Sequence, residues 1–199
     1  NLKDIDMLYQ PTDIKVFDNL LNDKVSLQIE NDFDKCPWNV AGNIVSLSNT
    51  VLEKYKDNKN VKDYIKFVHD FYELEGQSDN TKIADTVLDA FLKHNNIKNV
   101  NLLRAKANMQ TQYTGNRPDM HNSPHVDFLD MPHHVLIYYV NDSDGDTIFF
   151  DENENEIKRV APKRGRYALF NGNILHAGSN PVKSNYRIII NFNMVLNDV

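Results

Sequence analysis

His134-Val-Leu-Ile-Tyr-Tyr-Val140, Asn141-Asp-Ser-Asp-Gly145 and Thr147-Ile-Phe-Phe-Asp151 follow one another as strand, turn and strand. The outer runs are β-branched and aromatic, and the middle one consists of turn formers. The same alternation continues on both sides. Strand candidates lie near Leu102–Tyr113, Pro124–Phe128, His134–Val140, Thr147–Asp151, Glu156–Val160, Tyr167–Phe170, Leu175–Gly178 and Asn185–Val195. Turn signals at Gly115–Asn116, Asn141–Gly145, Glu152–Asn155, Pro162–Gly165, Asn171–Asn173 and Asn180–Pro181 separate them. Eight short strands with frequent turns predict a sandwich or barrel, and a jelly roll has eight.

The first hundred residues read differently, with only two of the seven glycines and two of the seven prolines. Val61–Leu74 places Ile65, Val68 and Tyr72 at helical spacing, and Thr81–His94 does the same with Ile83, Val87, Leu88 and Phe91. Asp79, Asn80 or Thr81 can cap the second helix. Ile14–Phe17 and Asn43–Leu47 are short strand candidates, and Met7 to Pro11 is a surface lead-in. No linker separates the halves, so one domain over 1–199 is expected, mainly β with flanking helices (α+β). Residues 1–100 would be a helical support packed outside one sheet of a barrel formed by 101–199.

Composition sets outer bounds. The 199 residues are 41% hydrophobic and 25% charged, an ordinary globular balance. No stretch approaches the ~18–20 unbroken apolar residues of a membrane helix, and no secretion signal is visible, so a cytoplasmic protein with no membrane role is expected. The single cysteine, Cys36, offers neither an internal disulfide nor a cysteine-rich zinc site. A net charge of −6 argues against a broad grip on nucleic acid. The 27 asparagines fit AT-rich coding and carry no chemistry.

Five of the seven histidines fall between residues 121 and 176. His125 and Asp127 are two apart in a candidate strand, so their side chains share a face. His176 follows 51 residues later on another strand. Two imidazoles and a carboxylate make a facial triad with open coordination positions, the donor set of non-haem Fe(II) oxygenases. Against this stands the reading of both histidines as ordinary polar residues near turns. His121, His133 and His134 read as loop or strand-end residues, His69 and His94 as surface, and Trp38 as core. The acidic runs Asp142–Asp146 and Glu152–Glu156 read as solvated turns.

Tyr186-Arg187-Ile-Ile-Ile-Asn191-Phe-Asn193 adds a second feature. An arginine in an apolar strand needs an anionic partner, because an unpaired buried charge is costly. By period 2, Arg187 shares its face with Ile189, Asn191 and Asn193, so that face can line a cavity. A cavity holding a metal and an arginine suits a dicarboxylic co-substrate.

On these motifs, residues 101–199 resemble the Fe(II)- and 2-oxoglutarate-dependent oxygenases, most closely the prolyl hydroxylase branch. Tyr113-Thr-Gly115-Asn116 is similar to that family's Tyr-x-Gly-Asn element. Ile137-Tyr-Tyr-Val-Asn141 is similar to its Ile-Tyr-Tyr-Leu-Asn strand. Gly145-Asp-Thr147-Ile-Phe149 is similar to its Gly-Gly-x-Leu-x-Phe strand, with Asp146 in place of the second glycine. The gap between His176 and Arg187 is two residues longer than usual, which the loop 179–185 can absorb. The resemblance implies a double-stranded β-helix, a form of jelly roll. It implies Fe(II) on His125, Asp127 and His176, with O2 consumed and ascorbate as a reductant. It implies 2-oxoglutarate bound through Arg187, helped by Tyr113 and Tyr139. Asn193 and Arg117 are the candidate substrate contacts, with 115–123 and 129–133 as covering segments. The expected reaction is hydroxylation of a prolyl residue in a protein or peptide. The same chemistry on a free amino acid or other small molecule, and a non-enzymatic cupin-like binding barrel, are the alternatives.

Overall fold

The computed structural model describes residues 13–41, 54–73, 76–78, 80–129 and 131–196. The predicted strand Asn43–Leu47 and the lead-in Met7 to Pro11 lie outside the described residues. The elements are β1 (Ile14–Phe17), α1 (Asp23–Asp32), β2 (Asn39–Ala41), β3 (Lys66–Glu73), β4 (Gly76–Gln77), α2 (Thr81–Asn95), β5 (Val100–Thr111), β6 (His134–Tyr139), β7 (Thr147–Phe150), β8 (Glu156–Val160), β9 (Tyr167–Asn171), β10 (Leu175–Gly178) and β11 (Tyr186–Leu196). A large antiparallel sheet runs β1-β9-β6-β11-β5-β3-β2, with β4 beside β3, and a small one runs β10-β7-β8. The small sheet faces the large one, giving a double-stranded β-helix.

Alternation along β11 shows how the sequence divides the layers. Ile188, Ile190 and Phe192 join an outer core with Phe71, Val87, Leu88, Phe91 and Ile29. Ile189 joins the inner core with Val135, Ile137, Tyr139, Phe149 and Phe170. The helices therefore cover the outer face of the large sheet, and the inner face is left for the small sheet and a cavity. Helix α2 ends at Asn96 in the left-handed conformation, φ 61°. Phe91 is fully buried and meets Phe17 edge-on at 5.7 Å. Phe91→Ala should cost about 3–5 kcal/mol of stability, read from the urea midpoint.

Three local expectations are corrected. The predicted helix over Val61–Leu74 is strand β3, paired with β5 through Phe67↔Met109 and His69↔Ala107. Its aromatic and β-branched residues suit a strand, and pairing with the long β5 decides the matter. His69 is consequently buried at 3% exposure, with Nδ1 donating to the Pro37 carbonyl (2.8 Å) and Nε2 accepting from Ser78 Oγ (3.2 Å). Helix α1 was not anticipated; its buried face is only Ser26 and Ile29, and Asn22 caps it by accepting from the Val25 N–H. The predicted strand Pro124–Phe128 is a single bridge between His125 and His176. The short predicted strand at Ile14–Phe17 and the helix at 81–94 are present. Trp38 stacks on Phe33 against the outer core. No described helix is long and apolar enough to cross a membrane.

Candidate active site

The two sheets enclose a cavity of about 290 Å³. The large sheet contributes Lys66, Arg104, Lys106, Asn108, Gln110, Arg187, Ile189 and Asn191, and the small one Thr147, His176 and Gly178. His125 and Asp127 enter from the segment before β6.

His125, Asp127 and His176 converge, with one potential ligand atom from each within 4.8 Å of the others. The mutual backbone bonds of His125 and His176, 3.0 Å in each direction, fix the pair. Nδ1 of His125 lies 3.0 Å from the Ser123 carbonyl, and Nδ1 of His176 lies 3.0 Å from the Ile174 carbonyl. A carbonyl only accepts, so Nδ1 carries the proton on both rings and Nε2 keeps its lone pair for the site. Burial and the neighbouring His176 push His125 down to about 4, so it is neutral at physiological pH. Burial alone would raise the Asp127 carboxyl, but His176, His125 and Arg104 together outweigh it and hold the carboxyl below its usual range. The donor set is two imidazole nitrogens and a carboxylate with no thiolate, which fits Fe(II).

Asp127 is firmly oriented. Arg104 Nη2 donates to Oδ1 (3.1 Å), and Asn191 Nδ2 and Asn193 Nδ2 donate to Oδ2 (3.0 and 2.8 Å). Asn193 also accepts from Arg104 Nε (3.0 Å) and is fully buried. It therefore acts on Asp127 rather than at the cavity mouth, which corrects its expected substrate contact. Arg117 is also displaced from expectation: it is exposed, held by Asp119 and Asn60, and outside the cavity wall. The segment 115–123 is tied down through Ser123 to Asp63 and His121 to Asn60.

Arg187 sits in the wall at 2% exposure. Nη1 donates to Gln110 Oε1 (2.6 Å) and Nη2 to Thr147 Oγ1 (2.7 Å). Its Nε is buried with no hydrogen-bond partner, and no carboxylate lies within ion-pair distance, among the described residues. Burial pushes the guanidinium below its ordinary range. Small residues make room for it: a Cβ on Gly178 would lie 3.2 Å from Nη1, and one on Gly145 would lie 3.1 Å from the Arg187 Cδ. A buried cation with neutral partners and an orphan N–H suits an incoming carboxylate.

Tyr139 packs beside Arg187, 5.8 Å from the guanidinium carbon to the ring centre, and its hydroxyl donates to Thr147 Oγ1 (2.8 Å). It thus braces Thr147 and also touches Arg187 directly, and burial raises its phenol to about 12. Thr147 Oγ1 accepts from both Tyr139 and Arg187, which leaves its own proton for the cavity. Tyr113 corrects the expectation more strongly. It stacks on Tyr64 at 4.2 Å, donates to the Ile65 carbonyl (2.9 Å) and does not line the cavity. Gln110 and Thr147 were missed. A readable signal existed for Gln110: Arg104, Lys106, Asn108 and Gln110 alternate with Ala105, Ala107 and Met109 along β5. The loop 179–185 is clamped by Asp144, which accepts from the backbone N–H of Val182, Lys183 and Ser184. Asp144 is therefore more than a solvated turn residue.

Lys66 is 7% exposed. Burial, then Lys106, pushes its ammonium from 10.5 down to about 7. The folded state releases that proton near pH 7 and the unfolded state near 10.5, so the unfolded state binds more protons in between and stability rises with pH there. The stability gained by Lys66→Met should therefore shrink from pH 7 to pH 9.5. Urea midpoints of both proteins across that range check it.

Residues 109–195 match the family model described as the 2OG-Fe(II) oxygenase superfamily. No curated protein sequence matches the chain. Among solved structures, an oxidoreductase of the 2OG-Fe(II) oxygenase family from Burkholderia pseudomallei superposes with a TM-score of 0.69 at 10% identity, covering 99% of this chain and 92% of that one. A prolyl hydroxylase from Trichoplax adhaerens, in complex with a hypoxia inducible factor peptide, gives 0.63 at 14% identity, covering 96% and 87%. HygX from Streptomyces hygroscopicus, with nickel, 2-oxoglutarate and hygromycin B bound, gives 0.58 at 11% identity, covering 96% and 86%. That superfamily uses Fe(II), 2-oxoglutarate and O2. The matched segment, residues 109–195, supplies most of the cavity wall and carries all of His125, Asp127 and His176.

Proposed function

We propose that the protein is an Fe(II)- and 2-oxoglutarate-dependent hydroxylase acting on a prolyl residue of a protein or peptide. The observation that carries the reading is Arg187, a buried cation without a carboxylate partner among the described residues, in the same cavity as the His125, Asp127 and His176 cluster. His125, Asp127 and His176 would hold the metal. Arg187, Gln110 and the Thr147 hydroxyl would hold the far carboxylate of 2-oxoglutarate, with Tyr139 supporting Thr147. When bound, iron and 2-oxoglutarate supply the oxidising chemistry, with O2 consumed and succinate and CO2 released. The chain's own part is orientation and exclusion of water. Arg104, Asn191 and Asn193 fix the Asp127 carboxylate, and the Ser123 and Ile174 carbonyls fix the imidazoles. Ile137 and Ile189 keep part of the wall apolar.

The Trichoplax prolyl hydroxylase and its bound peptide support the prolyl reading, as does exposed apolar surface at Leu129 (84%) and Met131, just after Asp127. A small-molecule substrate is the second reading, favoured by the cavity's modest volume and by the hygromycin B in HygX. Mass spectrometry of proline-containing peptides incubated with Fe(II) and 2-oxoglutarate separates the two. A +16 Da shift on proline, dependent on both, is expected. Succinate formation only with free amino acids or other small molecules would move the assignment to the second reading.

A further inference from the structure

We propose that Asn180, in the loop between β10 and β11, is a positioning residue for the 2-oxoglutarate site. It acts through the Gln110 amide on the Arg187 guanidinium. The inference rests on reading Arg187 as the seat of the far carboxylate.

Three buried side chains form one chain of hydrogen bonds. Asn180 Nδ2 donates to the Thr111 carbonyl (2.8 Å), Gln110 Nε2 to Asn180 Oδ1 (3.3 Å), and Arg187 Nη1 to Gln110 Oε1 (2.6 Å). Asn180 and Gln110 are 3% and 4% exposed, so a bond lost here is not replaced by one to bulk water. The two ends of the chain set its direction, because a carbonyl only accepts and a guanidinium only donates. Turning the Asn180 amide over would put its oxygen against the Thr111 oxygen. Turning the Gln110 amide over would put its NH2 against the guanidinium. Each amide therefore has one orientation that suits both of its neighbours. Without Asn180 Oδ1, the Gln110 NH2 loses its acceptor in a buried place, which is costly. The amide then turns to find another, and Oε1 leaves Arg187.

Asn180 is itself held from two sides. Asn116 Nδ2 donates to its backbone carbonyl (2.7 Å), and Asp144 grips the backbone N–H groups of residues 182–184 just beyond it. The Tyr113-Thr-Gly115-Asn116 element thus reaches the Arg187 site through its asparagine, while its tyrosine stacks on Tyr64. The long gap between His176 and Arg187 also finds a use, since its loop carries Asn180. Gly178 backs onto the same amide from the end of β10, where a Cβ would lie 3.0 Å from Gln110 Oε1.

The test uses Zn(II)-loaded protein and two probes that do not turn over: N-oxalylglycine, and N-methyloxamate, which lacks its far carboxylate. The ratio of their dissociation constants, from isothermal titration, reads the carboxylate clamp apart from the metal. In Asn180→Ala the preference for N-oxalylglycine should fall about three- to tenfold, the scale of one neutral hydrogen bond, with N-methyloxamate binding unchanged. Gln110→Met should lower the preference as well. Adding Asn180→Ala to it should lower the preference no further, because no amide is left to orient. Should Asn180→Ala not fold, Asn116→Ala, which loosens the Asn180 backbone, decides: a severalfold lower preference supports the proposal and an unchanged one overturns it. An unchanged preference in Asn180→Ala overturns it directly. Equal losses for both probes do the same, as do losses at Asn180 and Gln110 that simply multiply, since each marks a purely structural role. Failure of the underlying reading has a separate signature: a preference indifferent to Arg187→Ala.

Discussion

Arg187→Ala should weaken 2-oxoglutarate binding by about a hundredfold or more, while the protein without co-substrate loses little stability or gains some. The first effect follows from the burial of the guanidinium at 2% exposure. Breaking a buried charge pair by removing one partner costs roughly 3–5 kcal/mol, and each 1.4 kcal/mol is about a factor of ten. The second effect follows from what Arg187 touches when 2-oxoglutarate is absent. Its partners are the neutral oxygens of Gln110 and Thr147 and the neutral Tyr139 ring, and Nε has no hydrogen-bond partner among the described residues. A cation desolvated without a carboxylate is a burden on the fold, and truncation removes it. Thr147→Val should fall between the two, at roughly the 1.5–3 kcal/mol of a hydrogen bond to a charged group. Titration calorimetry with 2-oxoglutarate and urea unfolding of the same samples read both effects. Unchanged 2-oxoglutarate affinity in Arg187→Ala would remove Arg187 from the co-substrate site.

Alanine at His125, Asp127 or His176 should abolish turnover and metal-dependent thermal stabilisation. A ligand that binds only the folded state at a hundred times its Kd contributes about 2.7 kcal/mol, and that increment should vanish in all three variants. The metal-free proteins should differ among themselves. Asp127→Ala strips an acceptor from Arg104, Asn191 and Asn193 at once and should itself unfold more readily. His176→Ala removes a ring whose Nδ1 bonds only the Ile174 carbonyl and should be milder. Asn193→Ala tests positioning: the ligands stay, and metal affinity should drop by roughly 10–100-fold. Metal titrations followed by differential scanning fluorimetry check the series. Retained metal stabilisation in any alanine variant of the three would take that residue out of the site.

The sequence by itself determined the parts governed by local rules. Period 2 in Tyr186–Leu196 puts Arg187, Ile189, Asn191 and Asn193 on one face, and the structure turns that face inward. Glu156–Val160 and Leu175–Gly178 were readable to the residue because turn formers bound them on both sides. Helix α2 was readable because its apolar residues recur at 3.6-residue spacing over four turns. Pairing across the chain decided the rest. Residues 66–73 carry apolar side chains at both spacings, and only the edge offered by β5 makes them a strand. Tyr113 looks equivalent to Tyr139 in the sequence, but the chain turns at Gly115 and sends it to stack on Tyr64, outside the cavity. Gln110 and Thr147 have no distinctive local signature. They meet Arg187 only when β5 pairs with β11 in the large sheet and β7 folds over from the small one. The charge of Lys66 is likewise unremarkable in sequence, and it becomes a buried cation only because β3 closes one side of the cavity. Side-chain alternation is a property of the backbone at each residue, whereas the partner of a buried polar group is fixed by register between strands that lie far apart in the chain.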